Sequence, residues 1–150
     1  MNYLCALISS LLLVGTFASH ADTGMTSTLP LKESAMTVNM NINGQPFEVR
    51  LHDNPAAKAF VKNLPLQLEM DELNGNEKFA DLSHALPSSP VRPGTIQAGD
   101  LMLYGSQTLV LFYASFESSY RYTPVGKVTH PENLSAMMGK KKIQVGFNDH

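Results

Sequence analysis

The sequence predicts a mainly β domain: a closed barrel of about eight strands with two short capping α-helices. Three observations predict it. Short runs alternate apolar and polar residues with a period of two. Asn-Gly and other glycine-containing pairs punctuate those runs. Only two stretches carry helical spacing, each opened by capping residues, and closing so many short strands into a barrel removes their exposed edges.

Val38, Met40 and Ile42 alternate with Asn39 and Asn41; Phe47, Val49 and Leu51 alternate with Glu48 and Arg50. Asn43-Gly44 joins the runs, and both residues tolerate positive φ, so a hairpin follows. Asp53-Asn54-Pro55 opens a helix with a side-chain acceptor at the cap and Pro in the first turn. Ala56, Ala57, Phe60, Val61 and Leu64 form its buried stripe, and Pro65 stops it. Leu66, Leu68 and Met70 predict a strand. Asp71 to Lys78 reads as a polar turn around Asn74-Gly75, with Glu77 and Lys78 on a solvated face. Phe79 to Pro93, with Pro87, Pro90 and Pro93, predicts an irregular crossing or one short edge strand.

Leu101 to Tyr104 predicts a strand between turns at Ala98-Gly99-Asp100 and Gly105-Ser106. The unbroken apolar run Leu109 to Tyr113 fits a strand covered on both faces. Tyr120 to Tyr122 and Lys127-Val128 predict two further strands. Thr129-His130-Pro131-Glu132 has the capping-box pattern of a second helix, with Leu134, Met137 and Met138 buried and Gly139 as its stop. Ile143, Val145 and Phe147 close the chain as an alternating strand.

The 150 residues are 43% hydrophobic and 16% charged, which suits one core. A net charge of −2 disfavours nucleic acid and anionic membranes as partners. Leu4 to Phe17 is almost purely apolar or small, too short to span a bilayer, and Ser19-His20-Ala21 fits a cleavage site. Residues 1–21 are therefore expected to be a cleaved signal peptide, residues 22–35 a flexible lead-in and residues 36–150 the barrel. The product is expected in the periplasm or outside the cell, without a stable membrane anchor. The only cysteine, Cys5, lies in the leader, so the mature chain has no disulfide, thiolate ligand or cysteine nucleophile.

The placement of the two helices resembles cyclophilin-type barrels. The stretch Arg92 to Ser106 continuing into Leu109 to Tyr113, Leu68-Glu69-Met70 followed by Leu73 to Lys78, and Ser118 to Thr123 are similar to the motifs of a bacterial cyclophilin-like family. The resemblance runs from Val38 to Phe147 and implies the fold without a settled activity. True cyclophilins set an arginine, in a Phe-His-Arg segment, against the prolyl amide, and build a pocket from Gln-Phe-Phe. Both segments are absent here, and nothing singles out Arg50, Arg92 or Arg121.

Scattered histidines at 52, 84 and 130 offer no paired metal spacing, so neither metal nor cofactor is expected. No Gly-x-Ser-x-Gly elbow or phosphate-binding glycine loop occurs. The favoured reading is a binding module with a groove drawn from Glu69, Asn74, Arg92, Tyr104, Tyr113 and Tyr120, taking a small molecule or an extended peptide. Same-facing tyrosines on neighbouring strands would supply its walls and hydroxyl handles. The alternatives are a divergent prolyl isomerase or folding helper, and an enzyme with Glu69 as general base.

Overall fold

The computed structural model describes residues 35–139 and 141–150. The expected leader, and the expected lead-in as far as residue 34, lie outside the described residues. Ten strands follow in order: β1 (Thr37–Ile42), β2 (Gln45–Leu51), β3 (Leu66–Leu73), β4 (Glu77–Asp81), β5 (Gly94–Ile96), β6 (Asp100–Tyr104), β7 (Thr108–Phe112), β8 (Phe116–Ser118), β9 (Thr123–Val128) and β10 (Lys142–Asn148). Eight close into a barrel in the order β1-β10-β3-β4-β7-β6-β9-β2, and β5 pairs with β8 alone. All these pairings are antiparallel.

The β1–β2 hairpin forms as its sequence dictates. Asn43 and Gly44 adopt φ of 49° and 91°, the left-handed pair that matches strand twist. Every second residue then turns inward: Val38, Met40 and Ile42 meet Val49, Leu51, Ile143, Val145 and Phe147 in one core. Helix α1 (Pro55–Lys62) adds Ala57 and Phe60 to it. Because the barrel wall is continuous, these side chains enter through an open end.

Four local expectations are corrected. Asp71 to Lys78 is not one turn: β3 runs to Leu73, β4 starts at Glu77, and only the residues between them turn. β4 is a full barrel strand between β3 and β7, not an edge, although 82–93 is irregular as expected. Tyr120 to Tyr122 is not a strand; Tyr122 makes a single bridge to Val91, and the strand runs from Thr123 through Val128 as one element. The second helix is a single 3-10 turn at Ser135–Met137, still burying Leu134 and Met138.

A second apolar cluster lies outside the barrel. Val110 and Phe112 of β7, Met102 of β6 and Phe79 of β4 face outward and pack against Ile96 of β5, Phe116 of β8 and Tyr122. The β5–β8 pair thus covers one patch of wall. This double cover explains the unbroken apolar run of β7, whose Leu109 and Leu111 face the barrel core.

Candidate functional site

Strand alternation divides β4 between two environments. Lys78 and Ala80 face the barrel interior with Leu109 and Leu111, while Glu77, Phe79 and Asp81 face outward. The outward three form one wall of a cavity of about 590 Å3 between the barrel and the β5–β8 cover. Thr108 and Val110 of β7 and Tyr104 of β6 extend that wall. Phe116 to Ser119, Tyr120 and Tyr122 close the other side, and Leu73, Asn74 and Asn76 stand at the β3–β4 turn.

The register is set locally. Asn74 and Gly75 take positive φ of 55° and 69°, and the turn places Leu73 opposite Glu77 and Glu72 opposite Lys78. Leu73 and Glu77 consequently share the outer face, and Glu72 and Lys78 the inner one. Lys78 is fully buried, with its ammonium 2.7 Å from Glu72 Oε2. The Tyr113 hydroxyl donates to Glu72 Oε1 at 2.6 Å and the Gly75 N–H donates to the same oxygen at 2.9 Å. Burial pushes the Glu72 carboxyl up, but the bonds from Lys78, Tyr113 and Gly75 and the Lys78 charge outweigh it and hold the group below the usual glutamate value. Burial, and then its bond to Glu72, pushes the Tyr113 phenol up to about 12.

Glu77 is the outlier. It is 7% exposed, yet its carboxylate has neither an ion-pair nor a hydrogen-bond partner among the described residues. Burial, followed by repulsion from Glu72, pushes its carboxyl above the ordinary glutamate value. Close by, the buried Asn76 Oδ1 also lacks a hydrogen-bond partner. The expected solvated face at Glu77 and Lys78 is thereby corrected: both are buried, one toward the cavity and one toward the core.

Aromatic rings join the barrel wall to the opposite side. Tyr104 meets Tyr120 edge-on at 6.4 Å between centroids and Tyr122 at 5.8 Å, while Phe112 meets Tyr122 edge-on at 5.4 Å. Tyr122 is almost wholly buried, whereas Tyr104 and Tyr120 are 50% and 64% exposed at the rim.

Of the six candidates expected from sequence, the structure brings Asn74, Tyr104 and Tyr120 together in the cavity lining. The other three lie elsewhere. Glu69 faces outward on β3, half exposed, with Lys142 Nζ at 2.7 Å and Gln144 Nε2 at 3.0 Å. The bond and charge of Lys142 hold its carboxyl below the usual value, the opposite of what a general base needs. Arg92 is exposed and outside the lining. Tyr113 spends its hydroxyl on Glu72. Sequence reasoning read Glu77 as solvated and missed Phe79 and Phe116 as lining residues. The alternation Glu77-Phe79-Asp81, anchored by the Asn-Gly turn, is the signal that marks Glu77 and Phe79.

Among the described residues, no group of three or more His, Cys, Asp or Glu side chains is placed to hold a metal ion. No described helix is long and apolar enough to cross a membrane.

An eight-stranded antiparallel barrel whose helical segments dock into its core defines a cyclophilin-like β-barrel. The chain belongs to the Cyclophilin-like family, whose sequence profile matches residues 40–148. Among solved structures, it is similar to the hypothetical protein AF2241 from Archaeoglobus fulgidus. That TM-score is 0.52 at 14% identity, over 77% of this chain and 95% of the other. McbB, solved in complex with tryptophan, is similar with a TM-score of 0.52 at 13% identity, over 75% of this chain and 44% of McbB. The chain thus spans under half the length of McbB, and at these identities both likenesses concern the fold alone. No curated protein matches the chain.

Proposed function

We propose that this domain is a small-ligand-binding module that uses the wall cavity, and that it does not catalyse prolyl isomerisation. One observation carries the reading. Of the four large hydrophobic residues exposed on the described surface, three (Leu73, Tyr104 and Tyr120) ring this cavity. Clustered exposed apolar groups around a concavity mark binding surfaces, and the volume falls in the range of small-molecule sites. An extended peptide is less well served, because the barrel strands are all paired and only the three-residue β5 and β8 offer free edges.

The isomerase alternative needs a cation against the amide nitrogen, to weaken a resonance barrier of about 18–20 kcal/mol. The cavity lining contains no arginine, and Arg50, Arg92 and Arg121 are all exposed. A fragment screen read by amide NMR tests the binding reading. Hits are expected to shift Glu77, Tyr104 and Tyr120 together; hits scattered over the surface overturn it. A proline-limited refolding assay is expected to show no acceleration. Acceleration abolished by replacing one of the three arginines restores the isomerase.

We also propose export, on the apolar run Leu4 to Phe17 and the Ser19-His20-Ala21 site. Mass spectrometry of the protein from its host is expected to find an N-terminus at Asp22. An N-terminus at Met1, Met25 or Met36 argues against it.

A further inference from the structure

The charge of the cavity is one-sided. Among the described residues its charged lining is Glu77, Asp81 and Glu117, and no described Lys, Arg or His joins them. Two of the carboxylates are already engaged. Asp81 Oδ1 accepts from Thr108 Oγ1 at 2.6 Å, and Glu117 Oε1 accepts from the Thr95 hydroxyl. Glu77 is more than nine-tenths buried and accepts from nothing. The nearest strand neighbour with a cation, Lys78, points to the opposite face and is paired with Glu72. Asn76 Oδ1 is the one buried side-chain polar atom without a partner among the described residues, and it too is an acceptor.

The site therefore holds unmet acceptors beside aromatic rings. An anion entering it meets three carboxylates. A neutral apolar molecule leaves the Glu77 carboxylate buried and unpaired, an arrangement that costs free energy. An ammonium group satisfies each feature at once. It donates to Glu77, and Tyr104, Tyr120 and Tyr122 line the same cavity, where ring faces attract a cation. We infer that the cavity takes a small organic ammonium with an apolar body, Glu77 being its counter-ion and the rim tyrosines its aromatic wall. This inference rests on the cavity being a binding site, and it names the class of ligand.

Three probes of similar shape and different charge test it: phenethylamine, 2-phenylethanol and phenylacetate. Each is titrated into the isotope-labelled protein at neutral pH, with amide and tyrosine shifts recorded. Phenethylamine is expected to bind at the cavity about tenfold more tightly than 2-phenylethanol, and phenylacetate not at all. Glu77→Gln is expected to keep the folded spectrum and abolish that preference. Tyr104→Leu, at an exposed rim position, is the second variant and is expected to weaken the amine more than the alcohol. Equal cavity binding of amine and alcohol, tighter binding of phenylacetate, or a preference that survives Glu77→Gln overturns the ammonium while leaving a binding cavity. Silence of the cavity toward all three probes also overturns the ammonium. A fragment screen equally silent there removes the binding reading beneath it.

Discussion

Burying the Glu77 carboxyl without a partner limits the water that would stabilise its charge, and the Glu72 carboxylate adds repulsion. Its folded pKa therefore lies above the unfolded value. Such a group contributes stability that is fully present below the unfolded glutamate pKa and is lost as pH rises through the raised one. Glu77→Gln removes that dependence. Thermal unfolding at neutral pH is expected to find the variant at least as stable as the parent. A substantial loss would mean that the carboxylate holds the fold together, and its role as a ligand counter-ion would lose its basis. Glu72 has the opposite sign. Its lowered pKa gives stability present above the unfolded glutamate value and lost as pH falls through the folded one. Glu72→Gln removes the carboxylate 2.7 Å from a fully buried ammonium and is expected to cost about 3 kcal/mol. Tyr113→Phe deletes one hydrogen bond and is expected to cost about 1 kcal/mol. Urea denaturation ranks the two, and a reversed order refutes the account. Sequence could not assign these roles. In Asp71 to Lys78 every polar residue reads as solvated, because periodicity registers polarity and is blind to which charges meet across a turn.

The elements legible in the sequence are those whose local chemistry and burial agree. The first hairpin has alternation on both arms and a turn that needs two positive φ values. Helix α1 has its cap: Asn54 Oδ1 accepts from the Ala57 N–H at 2.8 Å, and Asn54 Nδ2 donates to the Pro124 carbonyl at 2.8 Å. One side chain thus starts the helix and ties it to β9. Asn54→Ala is expected to cost about 1–2 kcal/mol in chemical denaturation. Asn54→Asp keeps the cap but loses the donor to Pro124, and is expected to fall between. A wild-type midpoint for Asn54→Ala would show that packing of Phe60 alone positions α1. The second helical pattern fails for a tertiary reason. Thr129, the expected cap, is held by β2 instead, its N–H donating to the Glu48 carbonyl at 3.0 Å. The bonds that follow, Leu134 to Pro131, Met137 to Leu134 and Met138 to Ser135, all span three residues, so the segment stays at a single tight turn. β4 was obscured by its composition. Its first two residues are charged: pairing with Glu72 makes the burial of Lys78 tolerable, while Glu77 is buried facing the cavity.

At the scale of the molecule, two apolar clusters divide the work. The barrel core is sealed by continuous pairing, while the outer cluster joins the wall to a two-stranded cover with few bonds of its own. The candidate site lies against this second cluster, so its shape depends on the cover as well as on the barrel. The closed barrel was legible because many short strands leave edges that must be paired. The cover was not, since Thr95-Ile96 and Phe116 to Ser118 are too short to carry a period. Phe116 is the contact on which the difference turns. It is half-buried, with its ring centroid 5.7 Å from that of Phe112 on β7. Phe116→Ala removes that anchor without opening the barrel, and its stability cost is expected to stay near 1–2 kcal/mol, roughly half that of a fully buried ring. The functional cost should be larger, because a loosened cover must be reordered by each ligand that binds. Hydrogen exchange gives the separation directly: amides of β5 and β8 are expected to lose protection while those of β1 and β10 keep theirs. If β1 and β10 lose protection in step with the cover, the two clusters unfold as one unit, and the cavity owes its shape to the whole barrel.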